Sequence, residues 1–175
     1  MNKIGIIGYG NMGSIIAQKL SQRKDEYAVI VFYKDKVKLN NLNGVKIAEN
    51  VQELLERVDT VVLAIKPQDF DHLLKEIKKF VNGKLIISIA AGISAGHIER
   101  ILGNVRVIRV MPNIAARIEE SVTCLCGGSF AKGEDIDIAQ EIFYFLGTTR
   151  VIEEKMMNAA TAISGSVPAY VFYFL

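Results

Sequence analysis

The chain has 175 residues, half of them hydrophobic, and a formal net charge of +2. That length and composition suffice to bury one sizeable core, and the near-neutral balance gives no support for a nucleic-acid or membrane-surface partner. The N-terminus runs straight into an apolar strand with no signal-peptide pattern, so the expected setting is cytoplasmic.

Lys3–Ile7 reads as the first strand. Gly8, Gly10 and Gly13 follow in G-x-G-x-x-G spacing, and Met12, Ile15, Ile16 and Leu20 open a helix over Asn11–Gln22. Strand, glycine turn and helix in this order are how a βαβ unit receives a dinucleotide. Gly8 allows the tight turn, Gly10 lets backbone approach a pyrophosphate, and Gly13 lets the helix lie close on the strand. The helix N-terminus presents N–H groups and partial positive charge to the phosphates.

Ala28–Tyr33 is a second strand of strong β-formers, followed by a short strand near Val45–Ala48 and a helix over Asn50–Arg57. Thr60–Ile65 is a continuous apolar run, the mark of a strand buried on both faces, and Lys66-Pro67 ends it. Phe70, Leu73, Leu74, Ile77 and Phe80 recur at helical spacing, which predicts an amphipathic helix over 69–81. A strand at Leu85–Ala90, a loop at Ala91-Gly92, a helix at Ala95–Leu102 and a strand at Val105–Val110 come next. After these stand Met111-Pro112-Asn113, a strand at Ser121–Cys126, a helix at Glu134–Leu146 and a last strand at Thr149–Ile152. Cys124 and Cys126 point to one face of their strand, as small buried hydrophobes, and lack partners for a metal site. Helical sequence runs from Glu153 to the end, broken near Gly165-Ser166. Its stretch Asn158–Leu175 carries no charge and ends in AYVFYFL; Gly165 and Pro168 interrupt it, which favours a helix buried against a partner over a membrane span. That final apolar turn has no cap and reads as a chain cut short. The alternation predicts an α/β fold of Rossmann type, with a doubly wound, mainly parallel sheet.

Ligands of such a sheet lie outside the carboxyl ends of its strands. The candidate segments are therefore Gly8–Met12, Tyr33–Lys36, Ile65–Gln68, Ala90–Ile93 and Met111–Asn113. Lys34 and Lys36 supply positive charge where NAD-binding chains place an acid for the ribose, which favours NADP, while Asp35 keeps NAD possible. Pro67 fixes the backbone where the chain turns over the cofactor. His72 and His97 read as surface or capping residues. The sequence holds no Ser-His-Asp set, Cys-His pair or metal cluster, which suits hydride transfer, where the cofactor carries the chemistry. No catalytic side chain is singled out.

GYGNMG, AIKPQ, SIAAGI, RVMPN and TAISGSVPAY occur in this order, and together they resemble pyrroline-5-carboxylate reductase over essentially the whole chain. The resemblance implies NADPH-linked, or sometimes NADH-linked, reduction of a small ring imine to proline. It implies that Gly8, Tyr9, Gly10, Asn11, Met12 and Gly13 hold the pyrophosphate, with Lys34 near the adenosine 2′-phosphate and Asn50 near the ribose. Ala64, Lys66 and Pro67 would line the cofactor, and Ala90, Ala91, Met111, Pro112 and Asn113 would flank the nicotinamide. The loop Ser164, Gly165, Ser166 would bind the substrate carboxylate through backbone N–H groups. The implied organisation is a dinucleotide-binding domain over 1–152, then, over 153–175, the start of an all-helical substrate and dimerisation domain that makes a homo-oligomer. Three departures stand out. Val167 replaces a glycine of the family pattern, adding β-branched bulk beside a small anion; Ile114-Ala115 replaces a hydroxyl and a proline beside the nicotinamide; and, on the resemblance, the family continues into a helical domain at whose threshold this sequence stops. Two other readings stay open: another NADP-linked reductase such as a deazaflavin-dependent one, and a non-catalytic NADP-binding regulatory protein.

Overall fold

The computed structural model describes residues 1–35 and 43–174; Lys36 and Leu175 lie outside the described residues. In chain order the elements are β1 (Asn2–Ile7), α1 (Asn11–Ser21), β2 (Tyr27–Phe32), β3 (Val45–Ile47), α2 (Val51–Glu56), β4 (Thr60–Leu63), α3 (Phe70–Ile77) and β5 (Leu85–Ser88). Then come α4 (Ala95–Leu102), β6 (Arg106–Met111), β7 (Ser121–Gly127), α5 (Gly133–Tyr144), β8 (Gly147–Val151), α6 (Met157–Ala160) and α7 (Val167–Phe174). The strands form one sheet in the order β3-β2-β1-β4-β5-β6-β7-β8. β1 to β6 run parallel. The order reverses direction between β1 and β4, the switch point at which doubly wound sheets bind ligands.

Strand side chains alternate between faces, and each face here has its own core. Ile4, Ile6, Val29, Val31, Val62 and Ile87 pack with α1 and α5. Ile7, Ile30, Val61, Leu63, Ile86 and Val107 pack with α2, α3 and α4. The apolar run at Thr60–Leu63 is buried at every position, as expected of a strand covered on both sides. The helix expected over 69–81 is shorter and better started. Pro67 opens a 3-10 turn over Pro67–Asp69 that feeds α3, and the chain leaves the helix in a turn closed by Phe80 N–H on the Ile77 carbonyl.

The last strands depart from the parallel pattern. β7 runs antiparallel to β6, and Met111 pairs with Cys124, so Ser121, Val122 and Thr123 overshoot the end of β6. β8 runs parallel to β7 with Gly147 opposite Ser121. The chain then turns through Glu154–Met156 into α6 and a π-helical segment over Thr161–Gly165. The break expected near Gly165-Ser166 is therefore a widened helical turn, not an open loop, and α7 restarts at Val167. Cys124 and Cys126 do share a face, packed with Met111 and Met157.

Phe70 is fully buried between α3 and the sheet, whereas Tyr144 is 70% exposed. Phe70→Ala should cost about 3–5 kcal/mol in a denaturant titration, and Tyr144→Ala about 1 kcal/mol or less. Burial, with Glu154 adding to it and Arg109 opposing, pushes the Cys126 thiol up to about 11. The fold therefore favours the neutral thiol: stability should fall as pH rises from about 8.5, the unfolded value, towards that folded one. At pH 8, alkylation of Cys126 should proceed at the rate of unfolding, and rapid labelling of the folded protein would contradict the burial.

Candidate functional site

The turn after β1 is built on contacts that admit no side chain. Gly8 has φ +106, and a Cβ there would run into the Ala64 carbonyl group; a Cβ on Gly13 would run into the Gly8 carbonyl. Gly8 N–H bonds the Phe32 carbonyl at 2.9 Å, and Ala64 N–H bonds the Ile7 carbonyl at 2.8 Å, so the ends of β2, β1 and β4 are held level. Gly10 differs: it is exposed, and a Cβ there would meet nothing within 4 Å. It is the N-cap of α1 without a side-chain bond, which leaves the first amides of that helix facing open space. Tyr9 is turned into the core among Ile15, Ile16 and Val31, and burial raises its hydroxyl pKa. Asn11 is exposed, and Met12 packs against the same core.

A cleft of about 400 Å³ opens beside this turn, lined by Gly8, Gly10, Lys34, Ala64 and Lys66 from the expected set. Asp35, Gln68, Asp69, His72 and Glu76 complete its polar wall. His72 is exposed, in keeping with its surface reading, and α3 also places it on the cleft wall. Asn50 is not part of this wall. Its side chain accepts the Glu53 N–H at 2.8 Å and caps α2, next to Val51, which does line the cleft. Pro67 is the first residue of the 3-10 turn leading to α3. His97 is tied to Asp71 through Nε2 at 2.6 Å, joining α4 to α3 away from the cleft wall.

Further along the same edge lie the ends of β5 and β6. Ala90 is buried, Ala91 is exposed, and Gly92 turns the loop with φ +76. Met111 and Pro112 are buried, and Asn113 ties the end of β6 to two later segments. Its Oδ1 accepts the Ala115 N–H at 3.0 Å, its own N–H donates to Ser121 Oγ at 3.1 Å, and its Nδ2 donates to Ser164 Oγ at 3.0 Å. Ser164 Oγ in turn donates to the Val122 carbonyl at 3.0 Å, and Gly165 lies against the Met111 sulfur. Segments more than 50 residues apart in sequence thus meet at the overshooting end of β7. Ser166 N–H is bonded to the Ile163 carbonyl, and its hydroxyl faces the Thr161 carbonyl at 3.4 Å. From β2 to β6 the edge spans four strand spacings, about 19 Å, which is the scale of an extended dinucleotide.

Residues 3–92 match the family model described as NADP oxidoreductase coenzyme F420-dependent. The pyrroline-5-carboxylate reductase of Escherichia coli (strain K12) is 36% identical over 180 residues, covering 99% of this chain and 67% of that protein. The Aquifex aeolicus (strain VF5) reductase of the same name is 34% identical over 176 residues, covering 99% and 66%. The chain spans about two thirds of the length of these relatives. Among solved structures, Plasmodium falciparum pyrroline carboxylate reductase with NADP bound superposes with a TM-score of 0.89 at 30% identity, over 99% of this chain and 66% of that one. An imine reductase from Bacillus cereus, at 17% identity and a TM-score of 0.77, shares the fold. The family model covers the first half of the chain, whereas the reductases match over 99% of it. The chain belongs to the pyrroline-5-carboxylate reductase family.

Proposed function

We propose that this chain carries the cofactor-binding part of an NADP-linked reductase that converts the ring imine pyrroline-5-carboxylate to proline. The observation that carries this reading is the Asn113–Ser164 hydrogen bond, which sets the helical segment at the far end of the edge that begins with the glycine turn. The fit for a nucleotide rests on the open space at Gly10 and on the adjoining cleft. NADPH, when bound, supplies the hydride.

The chain's own residues position the reactants. Amides at the start of α1 face the pyrophosphate. Lys34 offers charge to the adenosine 2′-phosphate. Asp35, Asp69 and Glu76 line the same cleft, so selectivity for NADP depends on Lys34 locally rather than on the sign of the whole cleft; Asp35 keeps NAD usable. Ala64, Lys66 and Pro67 back the cofactor, and Ala90, Ala91 and Met111-Pro112-Asn113 flank the nicotinamide, with Ala90, Met111 and Pro112 as its buried apolar part. The region of Ser164, Gly165 and Ser166 receives the substrate carboxylate.

The proposed domains are 1–152 for the dinucleotide and 153–175 for the start of the helical substrate domain. Phe172, Tyr173 and Phe174 are more than 70% exposed on α7, an apolar face fitted to homo-oligomer contact. No helix among the described residues is long and apolar enough to cross a membrane. Free cysteines fit a cytoplasmic setting.

Calorimetric titration of the 175-residue protein with NADPH and then NADH tests the reading. Saturable binding that favours NADPH is expected. Lys34→Asp should weaken NADPH about tenfold or more while moving NADH about twofold or less. Equal losses for both would remove Lys34 from the 2′-phosphate role, and no binding by folded protein would mean that the glycine turn is structural or that binding needs the further third of length its relatives have.

A further inference from the structure

Arg109 is a cation sealed inside the protein. It is 3% exposed, on β6, with Ser88 of β5 and Cys126 of β7 as its register partners. A buried guanidinium is costly unless paired and hydrogen-bonded, and its polar partners come from beyond the sheet. Nη1 lies 3.6 Å from Glu154 Oε1, and Nη2 donates to Asn158 Oδ1 at 3.2 Å. Nε has no partner among the described residues, so one carboxylate and one amide hold the charge. Glu154 Oε1 also accepts the Ala95 N–H at 2.7 Å, at the start of α4.

Three segments of the site meet at this side chain. β6 continues two residues beyond it into Met111-Pro112-Asn113. The loop from Ala90 reaches it through Ala95 and Glu154. The helical segment carrying Ser164 reaches it through Asn158. Asn158 and Ser164 are six positions apart on one continuous helical segment, so fixing the first constrains the second. Met157, fully buried against Met111 and Cys126, anchors the same segment by apolar packing, to which the Arg109 contacts add a directional polar tie.

We propose that Arg109 is a positioning residue for this site: through Asn158 and Glu154 it sets the rotation of the segment 157–165, so that Ser164 meets Asn113 and the floor formed by Ala90 and Met111 closes. The purpose assigned to that geometry rests on the function proposed above; the geometry itself is tested without cofactor.

Amide hydrogen exchange is measured on the 175-residue protein and on Arg109→Leu, Arg109→Lys and Asn158→Leu. In Arg109→Leu, amides of 157–165 should exchange about tenfold faster or more, while those of β1, β4 and β5 keep their rates. Arg109→Lys, which keeps the positive charge, should restore part of the protection relative to Arg109→Leu. Asn158→Leu leaves the Arg109–Glu154 pair in place and should accelerate the same amides alone; it decides the matter if Arg109→Leu does not fold. The parent protein is titrated with NADPH alongside. Unchanged exchange over 157–165 in Asn158→Leu, or acceleration spread evenly over the sheet, overturns the proposal and makes Arg109 a core residue only. Failure of the parent protein to bind NADPH would overturn the functional reading and leave the exchange result standing.

Discussion

Everything in this molecule depends on a sheet that is buried on both faces. Parallel strands joined through helices must be covered above and below, and here two separate cores do so, one under α1 and α5 and the other under α2, α3 and α4. With both faces of its central strands closed, backbone groups of those strands that could meet a ligand lie at their ends. The reversal of strand order between β1 and β4 then parts the helices there, and the cleft beside Gly8 and Ala64 is the result. The location of the site is thus a consequence of core formation, and its chemistry was free to vary in the loops.

The antiparallel β7 solves the problem of the other end. A parallel strand would stop at the same level as its neighbours and leave the loops of β5 and β6 open to solvent. Because β7 runs the opposite way and starts three residues beyond β6, it places Ser121 and the Val122 carbonyl above the edge. Those groups take the Asn113 amide and the Ser164 hydroxyl. One reversed strand therefore supplies both the wall of the site and the seat for the helical segment.

Much of this was legible in the sequence because it is local. Runs such as Thr60–Ile65 and the 3.6-residue spacing of Phe70 to Ile77 report burial directly, and the observed elements differ mainly by a residue or two at their ends. The glycine spacing was legible for the same reason: a turn with φ above zero and two backbone collisions can be met by glycine alone. What sequence hid was everything set by partners distant in the chain. The direction of β7 depends on tertiary pairing, which alternation of strands and helices does not encode. The resemblance sets Asn50 near the ribose, and the structure adds that its Oδ1 caps α2. His72 carries no local mark that separates a cleft wall from a solvated face. Arg109 reads as one more charge in a strand until Glu154 and Asn158 are seen beside it.

The three glycines of the first turn answer to different masters. Gly8 and Gly13 are demanded by the fold itself, since a methyl group at either would strike the chain's own backbone, whether or not anything is bound. Gly10 meets no such obstacle. A lineage that abandoned nucleotides would still be compelled to keep the first and third glycines, while the second would drift. Among the three, Gly10 alone is left unconstrained by the chain's own packing.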